Sequence, residues 1–440
     1  MYKNGSTIRR PGAPAGCPGY ELLYMECRRT IPAFEIDLRK RAKCLSDMQD
    51  YSINQFLEPS STPGIDIEIC DVTLRDGEQM PGVVFRPDEK LDIAIRLDEI
   101  GVEIIEAGFP VVSATEKDAV KKIANFGLNA KISVLSRSIK RDVDVALDCD
   151  VDMVGIFIAI SDLHLTHKIH MSCGEAVSCA MDTMEYAKDH GLIVRFSAED
   201  ATRTDFQMLK SLYKTAEEHG ADYVSIADTV GILNPRTTYY MVSEIAKTVK
   251  IPICMHCHDD LGMAQANTLA AAEAGAKQLH TTVNGIGERS GNTSLEELLV
   301  ALRILYGLDR YDTTRLTSLS RIVQSYSSVI MPNNKAVVGE NAFAHESGIH
   351  VAAVLEEPRT YELYSPEMVG GNRKIIIGKH TGAKALKYIT KKMGYELERD
   401  EICLLAEKVK RCSEFKRPVT CNELRELILG LEIEITYPDL

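Results

Sequence analysis

From Ile65 onward, short β-branched runs alternate with longer stretches whose apolar residues recur every three or four positions. The first pattern fits strands buried on both faces, and the second fits helices with one apolar stripe. The runs fall at Ile65–Thr73, Val102–Phe109, Lys131–Arg137, Met153–Ile160, Ile193–Glu199, Tyr223–Thr229, Ile251–His258 and Gln278–Asn284, eight in all. Between them, segments such as Asp88–Ile100 and Thr204–His219 carry helical spacing, and several stop at a glycine, as a helix C-terminus prefers. Eight such repeats over residues 65–310 predict an α/β fold, a (β/α)8 TIM barrel rather than an open doubly wound sheet.

The rhythm is missing at both ends. Residues 1–64 open with a Gly/Pro/Ser-rich stretch from Gly5 to Gly19, include the basic cluster Arg39-Lys40-Arg41, and close on the linker-like Pro59-Ser60-Ser61-Thr62-Pro63-Gly64. Acidic residues Glu21, Glu26, Glu35 and Asp37 argue against a transit peptide, and no apolar core suits a signal peptide; a partly ordered extension is expected. After Tyr306 the repeat stops. Leu316–Ile330 reads as a helix ended by Met331–Asn334, followed by a Gly/His-rich stretch from Val338 to Gly382. Ala383 to Leu429 reads as a small helical module, with a strand pattern only at Leu431–Thr436. The expected organisation is an extension (1–64), a catalytic barrel (65–310), a linker subdomain (311–382) and a helical subdomain (383–440).

Composition narrows the function. A net charge of -13 removes any electrostatic case for nucleic acid or an anionic membrane, and no apolar run is long enough to span a bilayer. A cytoplasmic enzyme acting on small molecules is expected, and an anionic substrate would need a local positive site. The 12 cysteines are scattered and read as reduced thiols. Cys254 and Cys257 have CxxC spacing, but strand alternation points them to opposite faces, which excludes a shared zinc or a disulfide.

In a TIM barrel the reacting groups stand at the C-terminal ends of the strands. The first strand ends Thr73-Leu74-Arg75-Asp76-Gly77-Glu78-Gln79, where a carboxylate can hold a metal and a guanidinium can polarise a carbonyl. The seventh supplies His256-Cys257-His258, two imidazoles at i and i+2 on one face. The loop after the eighth, Asn284-Gly285-Ile286-Gly287-Glu288-Arg289-Ser290-Gly291-Asn292, lacks nucleotide-binding spacing and reads as a bend that brings Asn292 close. Such an N/O set suits Mg²⁺, Mn²⁺ or Zn²⁺ without choosing among them. Other strand ends add Glu106, Arg137, Asp228 and Thr229, and Arg195, Ser197 and Glu199 share one face of the fifth strand. Past the barrel, His345 to His350 and Gly378-Lys379-His380-Thr381-Gly382 are unusual clusters for a plain linker.

Together with Glu106-Ala107-Gly108-Phe109-Pro110, Phe196-Ser197-Ala198-Glu199-Asp200 and Ala227-Asp228-Thr229-Val230-Gly231, these segments resemble the acyltransferase branch of the DRE-TIM metallolyases: homocitrate, 2-isopropylmalate and citramalate synthases. The resemblance runs from about Ile67 to Gly382. It implies a divalent metal on Asp76, His256 and His258, with Asn292 at or near that sphere. It implies that Arg75 contacts the 2-oxo group, that Glu199 and His350 serve in acid/base chemistry, and that Tyr361 stands beside them. It further implies acetyl-CoA as co-substrate, and an obligate homodimer whose linker subdomain reaches the partner's barrel. Glu106, Arg137, Arg195, Ser197 and Thr229 are the expected substrate contacts beside Arg75.

Three features lean toward the homocitrate synthase branch: Arg195 suited to a distal carboxylate, the Gly378–Gly382 cluster, and an end without the long regulatory domain typical of leucine-controlled isopropylmalate synthases. Ile139 departs from the pattern, standing where some lysine-pathway enzymes carry a histidine. A 2-isopropylmalate or (R)-citramalate synthase is the alternative. A hydroxymethylglutaryl-CoA lyase would want a cysteine in the Gly285–Asn292 loop, which has none, and a scaffold protein would be expected to lose some of the ligands.

Overall fold

The computed structural model describes residues 65–414 and 417–431, together with the strand Ala33–Glu35. The remainder of the extension expected over residues 1–64 lies outside the described residues, as does all but Leu431 of the expected strand Leu431–Thr436.

Eight parallel strands close a barrel in chain order: β1 (Glu68–Asp71), β2 (Ile104–Glu106), β3 (Lys131–Arg137), β4 (Met153–Ala159), β5 (Ile193–Glu199), β6 (Tyr223–Asp228), β7 (Ile253–Cys257) and β8 (Gln278–Thr281). β1 pairs with β8 to complete the ring, Asp71 opposite Thr281. Every strand sits inside its expected run, and β3 and β5 match theirs end to end. The eighth run stops early because Val283–Gly285 turns, with Asn284 at φ 63°. Helices α1 (Pro87–Ile100), α2 (Ala114–Ala124), α3 (Lys140–Leu147), α4 (Cys173–Asp189), α5 (Phe206–Glu218), α6 (Pro235–Ala246), α7 (Ala264–Glu273) and α8 (Leu295–Tyr306) follow the strands in turn. The helix expected at Leu316–Ile330 ends at Ser327, three residues early, where Ser328 turns left-handed at φ 58°.

The outward strand faces and the helix stripes form the main apolar core. The barrel interior differs. Cys70, Val72, Ile104 and Met153, with Ile193 and Tyr223 against them, make a small apolar plug. Around and above it the inward side chains are polar: Glu106, Arg195, Ser225, Gln278, His256 and His280 are all buried. Cys254 faces Arg195 and Cys70 inside, whereas Cys257 bonds Thr268 of α7 outside, so the CxxC pair is split across the strand.

Contacts divide the chain into two units. The larger holds the barrel to Phe343 together with Glu362–Arg373; the smaller comprises Ala344–Tyr361, the described residues from Lys374 to Leu431, and the strand Ala33–Glu35. In the smaller unit Lys374–Ile376 is the central strand, antiparallel to Ala33–Glu35 and parallel to Ala344–His345. Helices Gly348–Glu356, Ala383–Lys392, Arg399–Ser413 and Cys421–Leu429 supply Val351, Leu386, Leu405 and Leu424 to its own apolar core.

Candidate active site

Beyond β1 the amides of Arg75, Asp76 and Gly77 all donate to the Val72 carbonyl, at 3.1, 2.8 and 3.1 Å. This tight turn lifts Arg75 and Asp76 to the C-terminal mouth of the barrel. Lys90 of α1 braces it, its Nζ lying 3.0 Å from the Leu74 carbonyl and 2.6 Å from Glu78 Oε2. Asp76 Oδ2 accepts from Asn292 Nδ2 at 2.6 Å and faces His256 Nε2 at 3.6 Å and His258 Nε2 at 3.9 Å. Asn292 arrives because its loop folds back to pair with His258. That approach needs Gly287, where a Cβ would lie 2.1 Å from Asn292 Nδ2.

These residues fit a divalent cation. Asp76, His256 and His258 each offer a ligand atom, all within 4.8 Å of one another. The two Nε2 atoms are 3.1 Å apart, close to the roughly 3 Å between neighbouring ligands set at right angles about 2.1 Å from an ion. Burial, then the neighbouring His258, pulls His256 down to about 3, and burial also lowers His258, so both rings stay neutral with lone pairs available. Burial alone would raise Asp76, but the Arg75 guanidinium, joined by the Asn292 amide that donates to it, holds it at about 2, an ionised ligand. Asn292 Oδ1 is a buried acceptor with no hydrogen-bond partner.

Deeper in the barrel, Glu106 accepts from both Arg75 and Arg195. Burial opposes its ionisation, but the two guanidinium charges bring it down to about 2. Arg195 is 1% exposed and lies across β4, where a Cβ on Gly155 would come within 2.7 Å of its Nη2. Its Nη1 has Cys70 Sγ at 3.2 Å, Gln278 Oε1 at 3.3 Å and His280 Nε2 at 3.3 Å. Its Nε is a buried donor with no partner.

Mouth and floor share one cavity of about 390 Å³. Arg75, Asp76, Arg195, Ser197, Glu199, Thr229, His256 and His258 all line it. Glu199 is paired with Lys168 at 2.5 Å, and Thr229 Oγ1 accepts from the Asp200 amide at 2.8 Å. Glu106 sits behind the two arginines and does not itself line the cavity. Arg137 is the expected contact that stands apart. Its side chain is 54% exposed and turned back on Asp142 of α3 at 2.7 Å. His350 and Tyr361 belong to the smaller unit, where their rings stack at 4.1 Å and both are exposed. The sequence reading missed His280, Gln278 and Lys168. The first two stand at i and i+2 on β8, the same inward alternation that singled out the β7 histidines.

A model of the HMGL-like family matches residues 66–323, and one described as homocitrate synthase post-HMGL domain-like matches residues 337–417. A homocitrate synthase AksA of Methanosarcina acetivorans is 62% identical over 392 residues, covering 89% of this chain and 97% of its own. A 2-isopropylmalate synthase of Methanocaldococcus jannaschii is 47% identical over 367 residues, 82% of this chain and 71% of its own. Among solved structures, the Bacillus subtilis HMG-CoA lyase shares the fold at TM-score 0.57 and 20% identity, covering 62% of this chain and 97% of that one.

Proposed function

This chain belongs to the HMGL-like family of barrel enzymes, and we propose that it works as a homocitrate synthase, condensing acetyl-CoA with 2-oxoglutarate and hydrolysing the thioester to homocitrate and CoA. The observation that carries this reading is the cavity floor: Arg195 lines it beside Ser197 and keeps a buried, unpartnered Nε–H. A buried donor without an acceptor is costly, and a distal carboxylate would satisfy it. Charge counting agrees. Arg75 and Arg195 are offset by Asp76 and Glu106, and Lys168 by Glu199, so the inner site is near neutral. A divalent cation then leaves room for a dianion such as a 2-oxo dicarboxylate. The apolar tail of a 2-isopropylmalate precursor would leave Arg195 Nε unpaired, which argues against that alternative and against citramalate synthesis.

Asp76, His256 and His258, with Asn292 beside them, would hold Mg²⁺, Mn²⁺ or Zn²⁺, in keeping with the divalent-metal chemistry of the family. When bound, such an ion polarises the keto group as a Lewis acid. Arg75, fixed by Glu106 and Asp76, donates to the keto oxygen and offsets the charge that grows there. Arg195 and Ser197 take the far carboxylate. Thr229, whose oxygen already accepts from Asp200, donates its hydroxyl hydrogen to the near one. The acetyl methyl loses its proton to a positioned base, and Glu199 and His350 share this acid/base work, with Tyr361 orienting the His350 ring. Delivery of His350 and Tyr361 to the mouth is assigned to a second copy of the chain, in a swapped homodimer.

The test is thiol release from acetyl-CoA with 2-oxoglutarate, using protein stripped by chelator and reloaded with Mn²⁺ or Mg²⁺. We expect turnover to disappear on stripping and return on reloading. Full activity in the stripped protein would overturn the metal-dependent mechanism.

A further inference from the structure

The metal-binding pair and the arginine floor are joined by a chain of side chains whose hydrogens can be assigned. His256 Nδ1 lies 3.3 Å from His280 Nδ1, and His280 Nε2 lies 3.1 Å from Gln278 Oε1 and 3.3 Å from Arg195 Nη1. All four residues are at most 7% exposed, so a polar atom left unpaired among them is costly. A guanidinium can only donate and an amide oxygen can only accept. Two proton arrangements follow.

In the first, His256 Nδ1–H donates to His280 Nδ1, and His280 Nε2–H donates to Gln278 Oε1. This leaves the His256 Nε2 lone pair facing Asp76. In the second, His280 Nε2 accepts from Arg195 and its Nδ1–H donates to His256, which drives the hydrogen onto His256 Nε2 and blocks ligation there. Gln278 decides between them. Its Oε1 would face a lone pair at 3.1 Å in the second arrangement. Arg195 Nη1 meanwhile has other acceptors in Cys70 Sγ and Gln278 Oε1. The first arrangement therefore avoids the contact between two lone pairs at Gln278 Oε1 that the second requires.

We propose that His280, oriented by Gln278, is a positioning residue that holds His256 in the one tautomer able to ligate a metal, and so ties the carboxylate floor to the metal centre. This rests on the metal reading given above. Partners that orient a ligating imidazole typically change metal affinity ten- to a hundredfold when lost.

Mn²⁺ binding, read from the EPR signal of the free ion, tests it on the full chain. His280→Asn keeps an acceptor where Nδ1 stood, whereas His280→Gln keeps a polar group only where Nε2 stood. We expect His280→Gln to weaken Mn²⁺ binding by about tenfold or more, and His280→Asn to stay within about threefold of the native protein. Thermal unfolding of the metal-free variants should match. Gln278→Leu, which leaves His280 in place, should weaken Mn²⁺ binding in the same direction and serves if a His280 variant fails to fold. Native affinity in both His280→Gln and Gln278→Leu, or equal losses in the two His280 variants, would overturn the proposal. Absence of Mn²⁺ binding by the native protein would instead overturn the metal reading beneath it.

Discussion

Lys90 and Arg195 are both buried to 1% exposure, yet the barrel treats them in opposite ways. Lys90 Nζ carries three hydrogens and finds the Leu74 carbonyl, Glu78 and both oxygens of Glu116 around it. Nothing is left to bind, and the result is mechanical, a peg through the turn that presents Arg75 and Asp76. Arg195 is engaged through Nη1 and Nη2 but not through Nε, and it lines a cavity. Burying a charge is costly in both places. At Lys90 the cost is offset by complete pairing, and at Arg195 it is left partly open. A buried ion pair therefore says little about function by itself; an unfinished one beside a cavity says much more.

Replacing each cation separately should pull the two roles apart. Arg195→Gln should lower kcat/KM for 2-oxoglutarate by about a thousandfold or more, because a carboxylate loses its buried counter-charge, while unfolding stays cooperative. Comparable losses on 2-oxoisovalerate, measured side by side, would show that Arg195 serves the barrel rather than the substrate. Lys90→Met should act the other way round, costing about 1–3 kcal/mol in urea unfolding because the half-buried Glu78 and Glu116 lose the cation they share. Its KM for 2-oxoglutarate should change little in protein that remains folded.

A weaker effect should appear in acid. Glu106 titrates at about 2 in the fold against an ordinary 4.5, so its ionised form contributes stability that is fully present above 4.5 and is lost as pH falls toward 2. The stability gap between the native protein and Glu106→Gln should thus hold steady from pH 7 to about 5.5 and shrink below 4.5. A gap that widened in acid would contradict the two-arginine clamp.

Much of the architecture was legible because its signals are local. β-Branched runs, helical spacing and glycine stops located all eight barrel strands, and the i, i+2 rule brought His256 and His258 together. His280 and Gln278 obey the same rule, but nothing local separates a polar residue facing a polar barrel interior from one lost among hydrophobic neighbours. Arg137 shows the converse. It shares strand parity with Leu135, which lines the cavity, yet it ends β3 and is captured by Asp142 five residues on. The strands Ala344–His345 and Lys374–Ile376 were hidden because two or three residues carry no period, and their pairing depends on chain far away. Lys168 lies in a single π-helical turn, Leu165–Ile169, whose five residues are too few to carry a period that would place it beside Glu199.

The central claim is that a charged floor beneath a metal-type triad selects a 2-oxo dicarboxylate. Its most direct test is CoA release by the Mn²⁺-loaded native protein supplied with acetyl-CoA and 2-oxoglutarate, 2-oxoisovalerate or pyruvate in parallel. The account predicts selective turnover of 2-oxoglutarate. Turnover confined to 2-oxoisovalerate or pyruvate would contradict it, and would mean that Arg195 Nε is satisfied by something other than the substrate's far carboxylate.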